Sequence, residues 1–259
     1  MTNRMRDTTL EHPAPIRPSA PPPIAELRDT TRAVRRAALI AGAALTVMAA
    51  LAGFGNIVIV QGLVTPGDAA VTADDILGSE GTFRLGVASL YLAALLDVVV
   101  AWALLRVFSP VNAELSRLGA WLRLAYAAVF MVALGQLAGI PGLLTDTDGT
   151  NVFTTGQRQA QALAKVDAFH DIWFAGLILF GAHLIVAGYL AYKSGFVPRL
   201  IGVLLVIAGA GYAFDSFVTV FTEDAPFAVS NVTFLGEFLL GLWLLLRGHR
   251  ISPATTPAA

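Results

Sequence analysis

FRLGVASLYLAALLDVVVAWALLRVF, residues 83–108, is a stretch of 26 residues in which only Arg84, Asp97 and Arg106 carry charge. A bilayer core of about 30 Å is crossed by roughly 20 helical residues, so this stretch is long and apolar enough to span a membrane. Five further stretches share this character: Ala37–Val60, Leu118–Leu144, His170–Tyr192, Leu200–Phe221 and Asn231–Leu246. Their apolar character is continuous rather than alternating, which favours helices over β-strands. We predict an all-α polytopic membrane protein, a bundle of six transmembrane helices.

The composition supports this class and excludes several others. Apolar residues make up 56% of the chain, charged residues 14%, and the mean hydropathy is +0.69, whereas soluble domains carry about 25% charged residues. The net charge of −1 and the lack of a large basic patch argue against a nucleic-acid partner. Because the chain has no cysteine, disulfides, thiol catalysis and cysteine-ligated zinc or iron–sulfur centres are excluded.

The chain divides into three parts. Residues 1–36 are rich in proline and arginine and poor in large apolar residues, a composition that cannot offset the entropy of ordering. We predict a disordered cytoplasmic tail over 1–36, with a short helix from about Ile24 leading into the first span. The membrane domain then covers 37–248, and a short cytoplasmic tail covers 249–259.

The distribution of basic residues predicts the orientation in the cell membrane. Cytoplasmic loops of membrane proteins are enriched in lysine and arginine. With six spans and both termini on one side, that side collects Arg4, Arg6, Arg17, Arg28, Arg32, Arg35, Arg36, Arg106, Arg117, Lys193, Arg199, Arg247 and Arg250. The opposite side has only Arg84, Arg158 and Lys165. We therefore expect both termini in the cytoplasm.

Ionisable residues within the spans are the candidate functional residues, because a charge at bilayer depth is costly and usually faces the bundle interior or a wet cavity. Depth along each helix, at about 1.5 Å per residue, sorts them into two layers. The outer layer holds Arg84, His170, Asp171, Asp215 and Glu237. These groups could form an outward-facing pocket for a cation, a proton or a small polar ligand. Alternatively, Arg84 and His170 neutralise the acids and water solvates the rest.

The inner layer holds Asp97, Arg123 and His183. Asp97 lies near mid-membrane, where an isolated carboxylate is unfavourable, so it should be protonated or paired. Arg123 is the expected partner because its long side chain can reach across depth. This pair would either lock the second and third spans together or take part in a proton-carrying step. His183, alone on an apolar helix, is interpreted as a hydrogen-bonded packing residue.

Sharper catalytic and cofactor patterns are absent from the sequence. There is no HExxH zinc motif, GxSxG elbow or Walker loop. His170 and His183 are 13 positions apart, about 220° around a helix, so they do not share a face that could hold a haem. A zinc site from His170, Asp171, Asp215 and Glu237 would need three helices to converge. We predict neither a metal nor a cofactor.

Several motifs resemble an uncharacterised prokaryotic membrane family, domain of unknown function 4386. They are Val64-Thr65-Pro66-Gly67-Asp68, Glu80–Gly86, Gly181-Ala182-His183-Leu184, Tyr192–Arg199, Gly211–Phe217, Gly236-Glu237 and the closing Arg247-Gly248-His249. The resemblance covers roughly Arg35 to Gly248. It implies a multi-pass helical fold and no particular activity. His183, Asp215 and Glu237 fall within these motifs, which makes them better candidates than Asp171.

Three functions remain open from the sequence. The first is a small carrier or binding protein with an outer-facing polar pocket, whose partners would be the lipid bilayer and a small polar ligand or cation. The second is an intramembrane enzyme, either with or without a metal, and the third is an accessory or structural subunit. The oligomeric state is not determined by the sequence.

The sequence also contains two small-residue motifs and one possible surface helix. Gly135 and Gly139 form a GxxxG pattern in the third span, and Ala208-Gly209-Ala210-Gly211 lies in the fifth. Such small residues let transmembrane helices approach closely. The segment Thr155–Ala168 could form a helix lying over the outer face.

Overall fold

The structure, a computed structural model, describes residues 24–145, 153–221 and 235–251. Within these residues the regular structure is entirely helical, which confirms the all-α class. The helices are α1 (Ile24–Asn56), α2 (Ala69–Gly78), α3 (Glu80–Phe108), α4 (Ala113–Ala138), α5 (Ile140–Thr145), α6 (Thr155–Lys193), α7 (Arg199–Phe221) and α8 (Leu235–Arg247). A π-helical turn, Ile57–Gln61, extends α1, and a 3₁₀ turn, Gly248–Arg250, follows α8.

Five helical segments in the described residues are long and apolar enough to cross a membrane. They are α1, α3, α4 together with α5, α6 and α7. The sixth predicted span corresponds to α8, which is described over 13 residues, or about 20 Å. Its predicted first residues, 231–234, lie outside the described part of the chain, so the sixth crossing stays a prediction.

Two helices extend beyond their predicted spans. α1 begins at Ile24, so the short leading helix and the first span form one continuous element, while residues 1–23 lie outside the described part of the chain. Thr155–Ala168 is helical, but it forms the first turns of the 39-residue α6 rather than a separate helix. A helix of that length measures about 58 Å, well beyond a bilayer core. Contacts with α2 and α5 hold its leading end.

The helix boundaries follow from local sequence. Thr154 and Gln157 form a reciprocal capping box at the start of α6, which satisfies backbone N–H groups left open at a helix terminus. Asn112 caps α4 by accepting from Leu115 N at 2.9 Å. Between α6 and α7, Gly195 adopts φ +71°, a left-handed conformation that glycine reaches without strain.

Six of the described helices form a closed ring. Each contacts its neighbours in the order α1, α3, α4, α6, α7, α8 and back to α1. Arg35 Nε donates to Ile251 O at 2.8 Å, which joins the N-terminal half of α1 to the residue that follows the 3₁₀ turn after α8. The beginning and the end of the helical ring therefore lie on one side of it, called here the terminal end. The end that carries α2 and α5 is called the far end.

The outer surface of the ring is apolar. Large side chains such as Trp121 and Leu200 are 65% and 67% exposed, an arrangement suited to lipid rather than water. At the terminal end, cations lie over exposed aromatic rings in three pairs: Arg106 over Trp102, Lys193 over Tyr189 and Arg199 over Tyr192. Amphipathic aromatic and basic side chains of this kind collect at membrane–water interfaces.

Glycines permit a close helix contact between α6 and α7. A Cβ on Gly209 would lie 2.9 Å from Ile185 N and closer still to Gly181 O, and a Cβ on Gly202 would lie 2.8 Å from Gly188 O. By contrast, a Cβ on Gly135 would meet nothing within 4 Å. The close approach therefore involves Gly209, from the predicted small-residue run, and not the GxxxG pattern of the third span.

Replacing Gly209 by leucine should destabilise the bundle, because backbone on α6 occupies the space that the new side chain needs. We expect a loss of at least about 1–3 kcal/mol, the usual cost of overpacking. Thermal unfolding in detergent micelles measures it. Gly135→Leu is the matched control, since it changes the same residue type within a helix that has open space there. Equal melting temperatures for the two variants would contradict the packing described here.

Candidate functional site

Arg123 of α4 lies at the centre of the ring and has no exposed surface. Its Nη1 donates to Glu237 Oε1 of α8 at 2.5 Å, and its Nη2 lies 2.6 Å from Asp97 Oδ1 of α3. Nη1 also lies 3.0 Å from His183 Nε2 of α6. Arg123, Asp97, Glu237 and His183 are called here the Arg123 cluster, which joins four helices at one guanidinium.

The contacts of His183 fix its protonation. Its Nδ1 lies 2.8 Å from the carbonyl oxygen of Gly119, which can only accept a hydrogen bond. Its Nε2 faces the guanidinium of Arg123, which can only donate. Both contacts are satisfied when Nδ1 carries the hydrogen and Nε2 does not. We therefore assign His183 as a neutral imidazole that supports Arg123 without adding charge.

Two buried atoms of the cluster lack hydrogen-bond partners of good geometry among the described residues, Asp97 Oδ1 and Arg123 Nε. Asp97 Oδ1 is still in close ion-pair contact with Arg123 Nη2 at 2.6 Å, but that contact has the distance of a hydrogen bond without its angle. The guanidinium is further held by a contact of Nη2 with Met48 Sδ of α1 at 3.6 Å and by the ring of Phe180, 5.4 Å from Arg123 Cζ.

The four residues meet because they share a depth measured from the terminal end. Arg123 follows the first residue of α4 by ten positions, and Asp97, His183 and Glu237 precede the last residues of their helices by ten or eleven. Each therefore lies about 15 Å along its helix. Neighbouring helices of the ring are antiparallel, so all four residues lie at the same depth.

A central cavity of about 370 Å³ lies beside the Arg123 cluster. All six helices of the ring line it: Met48, Ala49, Ala52, Gly53 and Asn56 from α1, Leu90, Ala93 and Asp97 from α3, Tyr126 and Phe130 from α4, Trp173 and Phe180 from α6, Tyr212 from α7, and Glu237 and Phe238 from α8. From the level of Asp97, the lining extends about 10 Å to Leu90 in the direction of the far end. The two carboxylates form the floor of this cavity.

Aromatic side chains form much of its wall. Tyr126 stacks with Phe130 at a ring-centroid distance of 5.9 Å and packs against Phe180 at 4.7 Å. Trp173 Nε1 donates to Tyr126 Oη at 3.1 Å, and Tyr212 meets Phe180 edge-on at 5.4 Å. These mutual contacts hold the wall in one arrangement, as expected for a preformed small-molecule site.

The predicted inner layer is brought together, whereas the predicted outer layer is divided. Glu237 joins Arg123 instead of the outer group, because counting from the start of its span placed it too far from the terminal end. Arg84 pairs within its own helix with Glu80 at 2.7 Å on the exposed surface. Asp171 is exposed, and His170 is half-buried with its ring against Phe169.

Asp215 of α7 is buried but is not among the residues that line the central cavity. The neighbouring Ser216 donates to Phe174 O at 2.9 Å, so this part of α7 is fastened to α6. The part of the chain that the structure describes contains no group of three or more histidine and acidic side chains placed to hold a metal ion. Both ring nitrogens of His183 are already engaged by protein atoms.

Sequence reasoning did not single out Met48, Tyr126, Trp173 or Tyr212 as site residues. Aromatic and methionine side chains in apolar spans carry no signal of their own, since most of them pack in cores or against lipid. Spacing offers the one available hint. Tyr126 follows Arg123 by three positions, so both lie on the same face of α4.

Arg123→Gln should strongly destabilise the protein, because it leaves two carboxylates together without a buried counter-charge. Removing one partner of a buried ion pair typically costs about 3–5 kcal/mol. The triple variant Asp97→Asn/Arg123→Gln/Glu237→Gln removes all three charges and should recover at least half of that loss. Thermal unfolding in one detergent compares the variants.

Arg84→Gln is the control for that series, since its partner Glu80 is exposed and such pairs contribute at most about 1 kcal/mol. A triple variant no more stable than Arg123→Gln alone, or an Arg84→Gln variant equally damaged, would contradict a charge-based role for Arg123.

The comparisons with known proteins agree with this architecture but assign no activity. Residues 40–248 match the family described as domain of unknown function (DUF4386). An uncharacterized protein of Archaeoglobus fulgidus is 32% identical over 166 residues, which cover 64% of this chain and 85% of that protein. No solved structure matches the chain. The matched region contains the Arg123 cluster and every residue that lines the central cavity, and the predicted resemblance is confirmed: the chain belongs to the DUF4386 family.

Proposed function

We propose that this chain is an integral protein of the cell membrane that binds a small polar ligand in its central cavity, as a binding protein or carrier. One observation carries the proposal. A cavity of about 370 Å³ lies inside a closed ring of apolar helices, and its floor is formed by the carboxylates of Asp97 and Glu237. Sites for small molecules typically measure about 300–1,000 Å³ and combine apolar walls with a few polar groups.

The position of the cavity supports access from one side. Its lining runs from the Arg123 cluster toward the far end and includes Asn56, near the last turn of α1. On the terminal side of the cluster, Ala41, Leu104, Leu190 and Leu244 are buried, and none of them lines the cavity. A ligand would therefore reach the carboxylates from the far end and meet a packed layer beyond them, as in one state of a carrier.

Charge supports the orientation of the bundle. The terminal end carries Arg106, Lys193 and Arg199, together with the basic residues of early α1. Membrane proteins retain such residues on the cytoplasmic side. This distribution supports a cytoplasmic location for both termini, and the central cavity would then face the outside of the cell.

Cysteine labelling tests whether the cavity is reached by water, and the absence of native cysteine removes any background. Gly53 lines the cavity, and a Cβ there would meet nothing within 4 Å. Gly53→Cys should react with a small water-soluble thiosulfonate at least about tenfold faster than Ala50→Cys, because only an ionised thiol reacts and hydrocarbon suppresses ionisation.

Ala50 is the matched control: it lies on the same helix, is exposed on the ring surface and is not a lining residue. Equal rates at both positions would overturn the proposal.

Labelling of intact cells tests the orientation. Gly81 at the far end and Ala113 at the terminal end are both exposed. A membrane-impermeant thiol reagent should modify Gly81→Cys in intact cells and Ala113→Cys only after permeabilisation. The reverse pattern would invert the assignment without affecting the cavity.

A further inference from the structure

We propose that the ligand of the central cavity is a small organic monocation, either a protonated amine or a quaternary ammonium compound. This inference rests on the proposed function, since it names the chemical class that the same cavity would bind. Charge, wall chemistry and size each support it.

The charges of the Arg123 cluster do not cancel one another. Asp97 and Glu237 contribute two negative charges and Arg123 one positive charge, while the contacts of His183 require a neutral ring. Ionised carboxylates therefore leave one negative charge in excess. An uncompensated charge at this depth is costly, so a bound positive charge would be stabilised.

The arrangement of these charges directs the excess toward the cavity. Asp97 and Glu237 both line the cavity, whereas Arg123 lies behind them and is not a lining residue. Among the described residues that line it, there is no lysine, arginine or histidine. An incoming ligand would meet the carboxylates before the guanidinium, so a cation is attracted and an anion is repelled.

The wall favours an organic cation over a hydrated metal ion. Tyr126, Trp173 and Tyr212 belong to the wall, and aromatic faces attract ammonium groups within about 6 Å of the ring centre. Metal ions such as Ca²⁺ instead take six to eight oxygen ligands, and the remaining lining is largely apolar. The cavity volume of about 370 Å³ also exceeds the need of a proton or a bare ion.

Two probes of the same shape test the charge preference on the unaltered protein. Choline carries a permanent positive charge, and 3,3-dimethylbutan-1-ol is its uncharged isostere. In calorimetric titrations of the purified protein in detergent, choline should bind at least about tenfold more tightly than its isostere, which corresponds to a difference in binding free energy of about 1.4 kcal/mol. Because the charge of choline is fixed, this preference cannot arise from protonation of the probe.

Variants locate that preference within the cavity. Glu237→Gln keeps the side-chain size, leaves Arg123 paired with Asp97 alone, and should reduce the preference for choline to less than about threefold. Glu80→Gln is the matched control, since it removes an exposed acid that pairs with Arg84 outside the cavity. Gly53→Phe should fill the cavity and abolish binding, whereas Gly135→Phe, at a position with equal open space outside the cavity, should preserve it.

The outcomes separate the two proposals. Equal binding of choline and its isostere, lost in Gly53→Phe, would overturn the cation assignment and leave the ligand-binding function intact. Binding of neither probe to a protein whose Gly53→Cys variant is readily labelled would also overturn the cation assignment. An unreactive Gly53→Cys variant would instead remove the proposed function itself.

Discussion

The buried guanidinium of Arg123 is the interaction on which the rest of the structure depends. A positive charge with no exposed surface must be neutralised by the protein, and the carboxylates that do so come from α3 and α8, far apart in the chain. His183 adds a third helix through its hydrogen-bond acceptor. Because lipid offers no driving force for association between apolar helices, such polar contacts select one register among many. Four helices are thereby held at a common level.

The same cluster accounts for the character of the cavity beside it. Because Asp97 and Glu237 line the cavity and Arg123 does not, the carboxylates are the polar groups that the proposed ligand would meet. The aromatic side chains around them contact one another, so the wall does not need to be assembled by a ligand. Such a cavity combines an excess of carboxylates with an apolar enclosure, and both properties would raise the affinity for the proposed organic cation.

Much of the fold could be predicted from sequence because continuous apolar stretches identify helices directly. The pairing of Asp97 with Arg123 could also be predicted, because few charged residues lie at that depth. In the structure, Arg123 Nη2 lies 2.6 Å from Asp97 Oδ1. The sequence alone groups Glu237 with the outer residues, because its depth is then counted from the predicted start of a short span. Counted from Arg247, it has the same depth as the others. The glycine contacts were not predictable, because spacing alone does not distinguish Gly209, at a helix interface, from Gly135, which faces open space.

An experimental structure of the protein in a lipid nanodisc would test the central claim most directly. The account predicts that both guanidinium nitrogens Nη1 and Nη2 of Arg123 lie within about 3.5 Å of the carboxylates of Glu237 and Asp97, inside the ring of helices. A structure in which Arg123 turns toward lipid or toward the terminal end, with Asp97 and Glu237 on separate faces of the bundle, would contradict it.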